Sequence, residues 1–530
     1  MGGMFPATMD PVTQSASSRP PCYRAKIVAF DHLIPLIAGR KGAGDKIVHA
    51  HGVFDLLHVG HIRHLKEAKQ MGDVLVVTLT PDRFVNKGPH RPAFPEDLRA
   101  EALAALEVVD YVAINLWPTS VETIARIQPH IYVKGSEFVN EASDITGAIA
   151  VEADAVRQAG GRVQFTEDIA FSSSNLLNRF LSAFPPEVEI YLEKLRRRFS
   201  MDEILSWLEK CGSLRPLVVG EAILEEYVFC TGLGKSTKDP VMAVQHDGME
   251  VYLGGSLAIA NHLAGFCEEV ILLTQLGDTE RSEKLVRERL SRNVRPILLT
   301  KSDSPTIQKR RLLDRYSGMK LLEVYRMNEQ ITSGEDSRQV VLNLEDNLKS
   351  ELVDLVITAD YGHGMLDRAS IDMLCEKSPF LALNVQCNDG NFGLNSIFKY
   401  SRADYICMAA HELAMEIRDR QIGKQEKVRH LAQRIKCPQF TITYGKDGSL
   451  HYHVTGGFHA APSLAVKVID RVGAGDAVLA FTSLLAKAGA PCEIVGLIGN
   501  AVGAILVSEV GNRGSLNRVT LARFLVSLLK

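Results

Sequence analysis

Two short stretches hold residues whose types and spacing suit phosphate chemistry. The first is Gly52-Val53-Phe54-Asp55-Leu56-Leu57-His58-Val59-Gly60-His61. Its two imidazoles stand three residues apart with a glycine between them. A glycine-containing turn that opens a helix lets backbone N–H groups and the positive helix end approach a phosphate. Such an imidazole pair can hydrogen-bond a triphosphate and stabilise the charge that develops as pyrophosphate leaves. That chemistry needs in-line positioning and no covalent nucleophile. In isolation the pair is equally compatible with a metal-binding or a purely structural role. A strand directly before it and a helix directly after favour catalysis by His58 and His61.

The second stretch is Val468-Ile469-Asp470-Arg471-Val472-Gly473-Ala474-Gly475-Asp476-Ala477, followed by an apolar run. The small-residue turn Gly473, Ala474, Gly475 exposes successive N–H groups at a helix start, a pocket for the trianionic group of a phosphoryl transfer. Asp476 at the helix mouth is placed to accept a proton from an attacking hydroxyl. The plain alternative is an aspartate that caps its own helix.

Elements on either side must position these residues. A strand is expected at Lys46–His51, a helix at His61–Met71 closed by Gly72, and a second strand at Asp73–Thr80. This βαβ unit implies a parallel sheet with ligands at the strand carboxyl ends. Helices near Glu96–Leu106, Val121–Ile127 and Ile149–Ala159 alternate with strands at Tyr111–Ile114, His130–Val133 and Val163–Phe165, and a last helix starts at Asn175. A charged stretch from Glu187 to Lys210 follows. Its run Lys194-Leu195-Arg196-Arg197-Arg198 could serve nucleic acid, but the acidic residues flanking it point to the solvated face of a connector. Alternation resumes through Leu217–Gly220, Ala258–Phe266, Val270–Leu276, Leu355–Ala359, Phe380–Val385, Tyr405–Cys407 and Phe440–Tyr444, and from Gly475 the chain reads as mostly helical. The expected organisation is a flexible tail over 1–22, a first α/β domain over 23–182, a helical linker over 183–214 and a second α/β domain over 215–530.

Composition sets outer limits. The chain has 530 residues, 46% hydrophobic and 23% charged, room for two ordinary cores in a globular enzyme. A net charge of -3 argues against a surface that coats nucleic acid. Nine cysteines, an odd number without a C-x-x-C pair, read as reduced thiols, and no apolar stretch is long enough to span a bilayer. The leader is rich in Pro, Ser and Thr without an apolar signal core. The expected compartment is the cytoplasm, with neither nucleic acid nor membrane as a partner.

The first stretch resembles the H-x-G-H signature of the cytidylyltransferase-like superfamily, and further matches span most of Lys46–Leu181. The resemblance implies a Rossmann-like nucleotidylyltransferase domain with Gly52 and Phe54 at the nucleotide. It places Asp82, Lys87 and Arg91 where the family handles nucleotide or acceptor phosphate, Arg91-Pro92 and Arg99 resembling an R-P…E-x-R segment. Lys134 and Gly135 resemble the V-K-G nucleotide turn. Ser172, Ser173 and Ser174 resemble a phosphate cap, although three hydroxyls at a helix start equally suit a plain N-cap. No K-M-S-K-type loop is present, which argues against a class I aminoacyl-tRNA synthetase.

The second stretch is similar to the ribokinase (PfkB) family, whose second signature Gly473-Ala474-Gly475-Asp476 matches. Gly254, Gly255 and Asn261 resemble its first signature in outline, and the resemblance covers about Leu217 to Lys530. It implies a ribokinase-like α/β domain with a small β lid near Lys235–Val244. Glu221, Gly254, Gly255, Asn261 and Asp360 are then expected to bind the sugar, Gly445 in Thr443–Gly448 the nucleotide, and Glu412 the metal. Departures are visible: Glu221 and Glu225 replace aspartates, and His363 stands for Lys in a D-Y-G-K-G turn. Ala409 stands for Asn in N-x-x-E, Tyr444 for a small residue, and Gln386-Cys387-Asn388 for D-P-K. These put the sugar, and the kinase activity itself, in question.

Together the halves resemble the bifunctional enzymes of ADP-heptose synthesis, with the order reversed. The resemblance implies a kinase and a nucleotidylyltransferase that make a nucleotide-activated, heptose-like sugar, favouring an ADP-linked product, with Mg²⁺ and ATP (CTP remaining open for the transferase) and a homodimer. The alternative is a cytidylyltransferase for a small polyol phosphate whose kinase fold only binds ligand.

Overall fold

The computed structural model describes residues 23–85, 91–135, 148–166, 184–278, 280–328, 330–349, 352–388, 390–391, 393–511, 513–514 and 516–529. The expected tail, Lys87, Ser172, Ser173, Ser174 and the helix from Asn175 lie outside these residues. Described residues up to 166 form one compact unit, and those from 184 form a second. No helix among the described residues is long and apolar enough to cross a membrane.

The first unit runs α1 (Phe30–Gly42), β1 (Ile47–Gly52), α2 (Val59–Gln70), β2 (Val74–Leu79), α3 (Glu96–Ala104), β3 (Tyr111–Ile114), α4 (Val121–Ile127), β4 (Ile131–Lys134), α5 (Ala148–Gln158) and β5 (Arg162–Phe165). Its five strands pair in parallel in the order β3-β2-β1-β4-β5. Strand residues are apolar on both faces, as a parallel sheet covered by helices requires. Val48, Ala50, Leu75 and Val77 pack with Leu65 of α2 and Leu103 of α3, whereas Ile47, Val74 and Val76 pack with Leu33 and Ile37 of α1. The helix α1 was not expected from the sequence. It contains Pro35, a residue that argues against a helix interior, but burial of Phe30, Leu33 and Ile37 holds it. Strand order reverses between β1 and β4, so the crevice for a ligand opens at their carboxyl ends.

The second unit begins with helices Pro186–Arg198 and Met201–Gly212. The stretch expected to be a solvated connector is only half so. Arg197 is exposed, yet Val188, Leu192, Leu195, Ile204 and Leu208 are buried in this unit's core. Beyond it, β6 (Pro216–Gly220), β9 (Val270–Gly277), β10 (Val294–Lys301), β13 (Leu355–Asp360), β14 (Leu381–Val385), β15 (Tyr405–Ala409), β16 (Gln439–Thr443), β17 (Ser449–His453) and β18 (Gly457–Ala461) form one sheet. Its order is β10-β9-β6-β13-β14-β15-β16-β17-β18, parallel except for the last two pairings. Alternate residues face opposite cores: Val218, Leu272 and Ile357 one way, Leu217, Leu273 and Val356 the other.

A separate four-stranded sheet is built from β7 (Ala222–Lys235), β8 (Met242–Gly255), β11 (Ile307–Asp314) and β12 (Lys320–Arg326), in the order β12-β11-β7-β8. The lid expected around Lys235–Val244 is therefore the tip of a larger sheet rooted at the carboxyl end of β6. The chain ends in helices Ala474–Lys487, Cys492–Leu506 and Arg518–Leu529.

Candidate active sites

In the first unit, His58 is the N-cap of α2, and its Nδ1 accepts the N–H of Gly60 at 3.1 Å. That bond fixes the tautomer with hydrogen on Nε2, which is buried and makes no hydrogen bond. The rings of His58 and His61 stack with centroids 4.0 Å apart, and Phe54 meets His61 edge-on at 5.3 Å. Phe54 adopts a left-handed φ of 48°, a strained conformation for a non-glycine residue that turns the chain from β1 toward α2. Partial burial lowers the His58 pKa. The pair thus presents one N–H, on His58, directed away from the protein's own acceptors.

The turn is pinned from beneath. Arg99 is buried, and its guanidinium donates to the carbonyls of Val53, Phe94 and Thr80 and to Oδ1 of Asp82 at 2.6 Å. Asp55 accepts Arg91 Nη1 at 2.8 Å and the N–H of Ala93. Two residues expected at the substrate hold internal contacts. Asp82 is spent on Arg99 and on the N–H of Glu96 at the start of α3, and Arg91 is spent on the buried Asp55. Both help to shape the loop.

Lys134 ends β4, and its Nζ lies 2.7 Å from Glu152 Oε2 and over the Tyr132 ring. Burial acts against its charge, but Tyr132 and Glu152 outweigh that and raise its pKa. Gly135 follows directly, half-buried. Sequence reading missed a hydrogen-bonded row beneath the site: His49 Nε2 and His51 Nδ1 each lie 2.8 Å from Thr78 Oγ1. Burial and then the Lys134 charge push His51 down to about 3. The alternation of His49 and His51 on one face of β1, with Thr78 of β2 opposite His51, was the available signal.

In the second unit, Gly473 takes a left-handed φ of 80° and starts the helix at Ala474. The N–H groups of that first turn have no acceptor within the helix, and a Cβ on Gly475 would meet nothing within 4 Å. Asp476 is buried in the same turn, and its Oδ1 accepts Tyr361 Oη at 2.8 Å and Gln386 Nε2 at 3.1 Å. Burial raises its pKa to about 6 against the pull of Tyr361, the Lys309 charge and Gln386. A carboxylate there is a base matched to near-neutral pH. Lys309 on β11 was not singled out by sequence, because it belongs to no local motif; Gln386 was noted there only as a departure, and its bond to Asp476 is a finding of the structure.

Three residues expected to bind the sugar hold internal contacts. Glu221 accepts the N–H groups of Tyr361 at 3.0 Å and His363 at 2.9 Å, so its carboxylate props the turn after β13. Asp360 accepts Gly362 N–H, Tyr400 Oη and Lys399 Nζ and is almost wholly buried. Asn261 ties the far end of its helix to the carbonyl of Arg289 and the N–H of Ser291. Gly254 and Gly255 root the lid, since a Cβ on them would come within 2.7 Å of Glu225 Cγ and 2.6 Å of the Glu221 carbonyl oxygen. Gly445, at φ 60°, opens the turn after β16, and Tyr444 beside it packs under Lys424.

Glu412 caps its own helix, accepting Ala409 N–H at 2.7 Å, and also accepts Cys387 N–H at 3.2 Å. Burial lifts it to about 7, with the Asp476 charge contributing. No group of three or more metal-ligating side chains occurs among the described residues. Magnesium draws most ligands from nucleotide phosphates and water and needs only one or two carboxylates, which Glu412 near Asp476 fits.

The sequence matches the cytidylyltransferase-like family model over residues 49–179 and the pfkB family carbohydrate kinase model over residues 396–518. With the sheet orders above, the chain is an α/β protein with an N-terminal nucleotidyltransferase-like domain and a C-terminal ribokinase-like domain. It is similar to the Bifunctional protein HldE of Geobacter metallireducens, 39% identical over 166 residues, which are 31% of this chain and 32% of that protein. It is also similar to that of Aliarcobacter butzleri, 42% identical over 139 residues, 26% of this chain and 29% of the other. The chain thus spans about a third of the length of the curated relatives it matches. Among solved structures it is similar to an Arabidopsis thaliana ribokinase complexed with ribose and ATP, at 17% identity over 60% of this chain and 99% of that one, TM-score 0.44. A phosphofructokinase-2 from Escherichia coli in complex with potassium matches at 14% identity over 60% and 99%, TM-score 0.46.

Proposed function

We propose that the chain carries two phosphate-transfer activities: a nucleotidyl transfer that releases pyrophosphate in the first unit, and phosphorylation of a sugar hydroxyl in the second. The observation that carries the first is the stacked His58–His61 pair at the carboxyl end of β1, with Nε2 of His58 free to donate. The phosphate of a sugar phosphate attacks the α-phosphorus of a nucleoside triphosphate, and the two imidazoles hold the departing pyrophosphate oxygens. Gly52, Phe54, Lys134 and Gly135 surround the nucleotide in this reading. Ser172, Ser173 and Ser174 would cap its phosphates and Lys87 the acceptor.

In the second unit, Asp476 accepts the proton of the attacking hydroxyl while the N–H groups after Gly473 hold the transferring group. Tyr361 and Gln386 orient that carboxylate. Glu412 would hold Mg²⁺, which neutralises triphosphate charge when bound with the nucleotide. The product class is a nucleotide-activated, heptose-like sugar, ADP-linked by preference, a choice supported by similarity to proteins named bifunctional HldE. A second reading, a transferase whose kinase fold only binds ligand, draws support from Glu221 and Asp360, which are spent on internal contacts. The test is a screen of purified protein for pyrophosphate release from each nucleoside triphosphate with sugar 1-phosphates, and for ADP release with free and phosphorylated sugars. Pyrophosphate without ADP selects the second reading.

A further inference from the structure

Asp470 opens the turn that leads to the anion hole, three residues before Gly473, and its carboxylate is the meeting point of four segments. Oδ2 accepts Tyr227 Oη of β7 at 2.7 Å and the N–H of Gly511 at 3.1 Å. Oδ1 accepts Lys320 Nζ of β12 at 2.7 Å and the N–H of Val472 at 3.2 Å. Two strands on separate hairpins of the lid therefore end on one buried carboxylate of the anion-hole loop. The contact is closely fitted. Gly511 has a φ of 58°, and a Cβ there would come within 3.1 Å of the Tyr227 ring. Tyr227 in turn meets Tyr252 of β8 edge-on at 5.3 Å, so three lid strands share the junction.

Resting on the kinase reading of this unit, we propose that Asp470 is a positioning residue that couples the lid to the anion hole, so that the hole takes its phosphate-holding shape when Tyr227 and Lys320 are engaged. A charge-assisted bond inside a mostly buried junction is directional, and loss of either donor leaves the carboxylate to reorient with the backbone of Val472 and Gly473. The burial that would raise Asp470 is outweighed by the donors Lys320 and Tyr227, and its pKa falls below the usual carboxylate value. The carboxylate thus stays charged, and the strap stays engaged, across neutral pH.

The test follows hydrogen exchange in the full chain with and without a nonhydrolysable ATP analogue and Mg²⁺. In the wild type, the analogue should slow exchange both at the 473–477 turn and, about tenfold, in the lid strands β7 and β12. In Tyr227→Phe combined with Lys320→Met, the lid response should be lost and protection at the 473–477 turn should weaken with it. Lys320→Arg should restore it, which a merely structural role would not predict. Should the double variant not fold, Lys320→Met alone serves, since that side chain is 32% exposed. Equal lid protection in wild type and variant overturns the coupling but leaves the kinase reading intact. Absence of protection at 473–477 in the wild type removes both.

Discussion

Tyr361 and Asp476 stand 115 residues apart in the chain, yet the phenol donates to the carboxylate across 2.8 Å. The bond joins the turn after β13, which Glu221 braces, to the mouth of the helix Ala474–Lys487. It orients the proposed base while burial keeps it near neutral strength. Asp476→Asn should lower sugar phosphorylation by about 10²–10⁴-fold and leave pyrophosphate release unchanged. Tyr361→Phe should cost less, and mainly in kcat. Steady-state kinetics of both half-reactions check this.

Because the Asp476 carboxyl is raised to about 6, the base must lose its proton before it can act. Kinase kcat should therefore rise with pH through about 6 and level off above it. A profile flat from pH 5 to 8 would remove the assignment.

His58→Ala or His61→Ala should each reduce pyrophosphate release by about 10²–10³-fold, the scale of losing one donor to a developing anion. The double substitution should cost little more than either single one, since the stacked rings act as a unit. Sugar phosphorylation by the same variants should match the wild type.

Arg99 donates to three carbonyls and to Asp82 from a buried position. Arg99→Met should destabilise the first unit by about 3 kcal/mol, because it strands those acceptors. Calorimetry should show the first unit's transition moving down by several degrees and the second unit's unchanged.

His51, held neutral with a pKa of about 3, binds fewer protons folded than unfolded between pH 3 and 6.5. Stability should therefore fall as pH drops below 6.5, by about 1 kcal/mol per pH unit for each such histidine. His51→Gln should flatten that dependence in the first unit.

Much of this was legible in the sequence. Strands such as Tyr111–Ile114 and Leu355–Asp360 announce themselves because a buried parallel strand is a short apolar run between turn residues. The His58–His61 and Gly473–Asp476 turns are local, so spacing alone carries their chemistry. What escaped was contact between distant segments. No local pattern says that Glu221 caps the turn at Tyr361, that Asp360 serves Tyr400, or that Asn261 bonds the carbonyl of Arg289. The helix Phe30–Gly42 escaped because Pro35 weighs locally against it, while the burial that stabilises it is tertiary. The connector was read as helical, but the burial of one of its faces escaped because charge dominates the reading and the stripe of Val188, Leu192 and Leu195 does not.

The most direct test of the two-site account assays one preparation for pyrophosphate and ADP release side by side, comparing wild type with His61→Ala and Asp476→Asn. The account predicts that the first substitution abolishes only pyrophosphate and the second only ADP. Loss of both products from either single substitution in a folded protein, or retention of both in each, contradicts it.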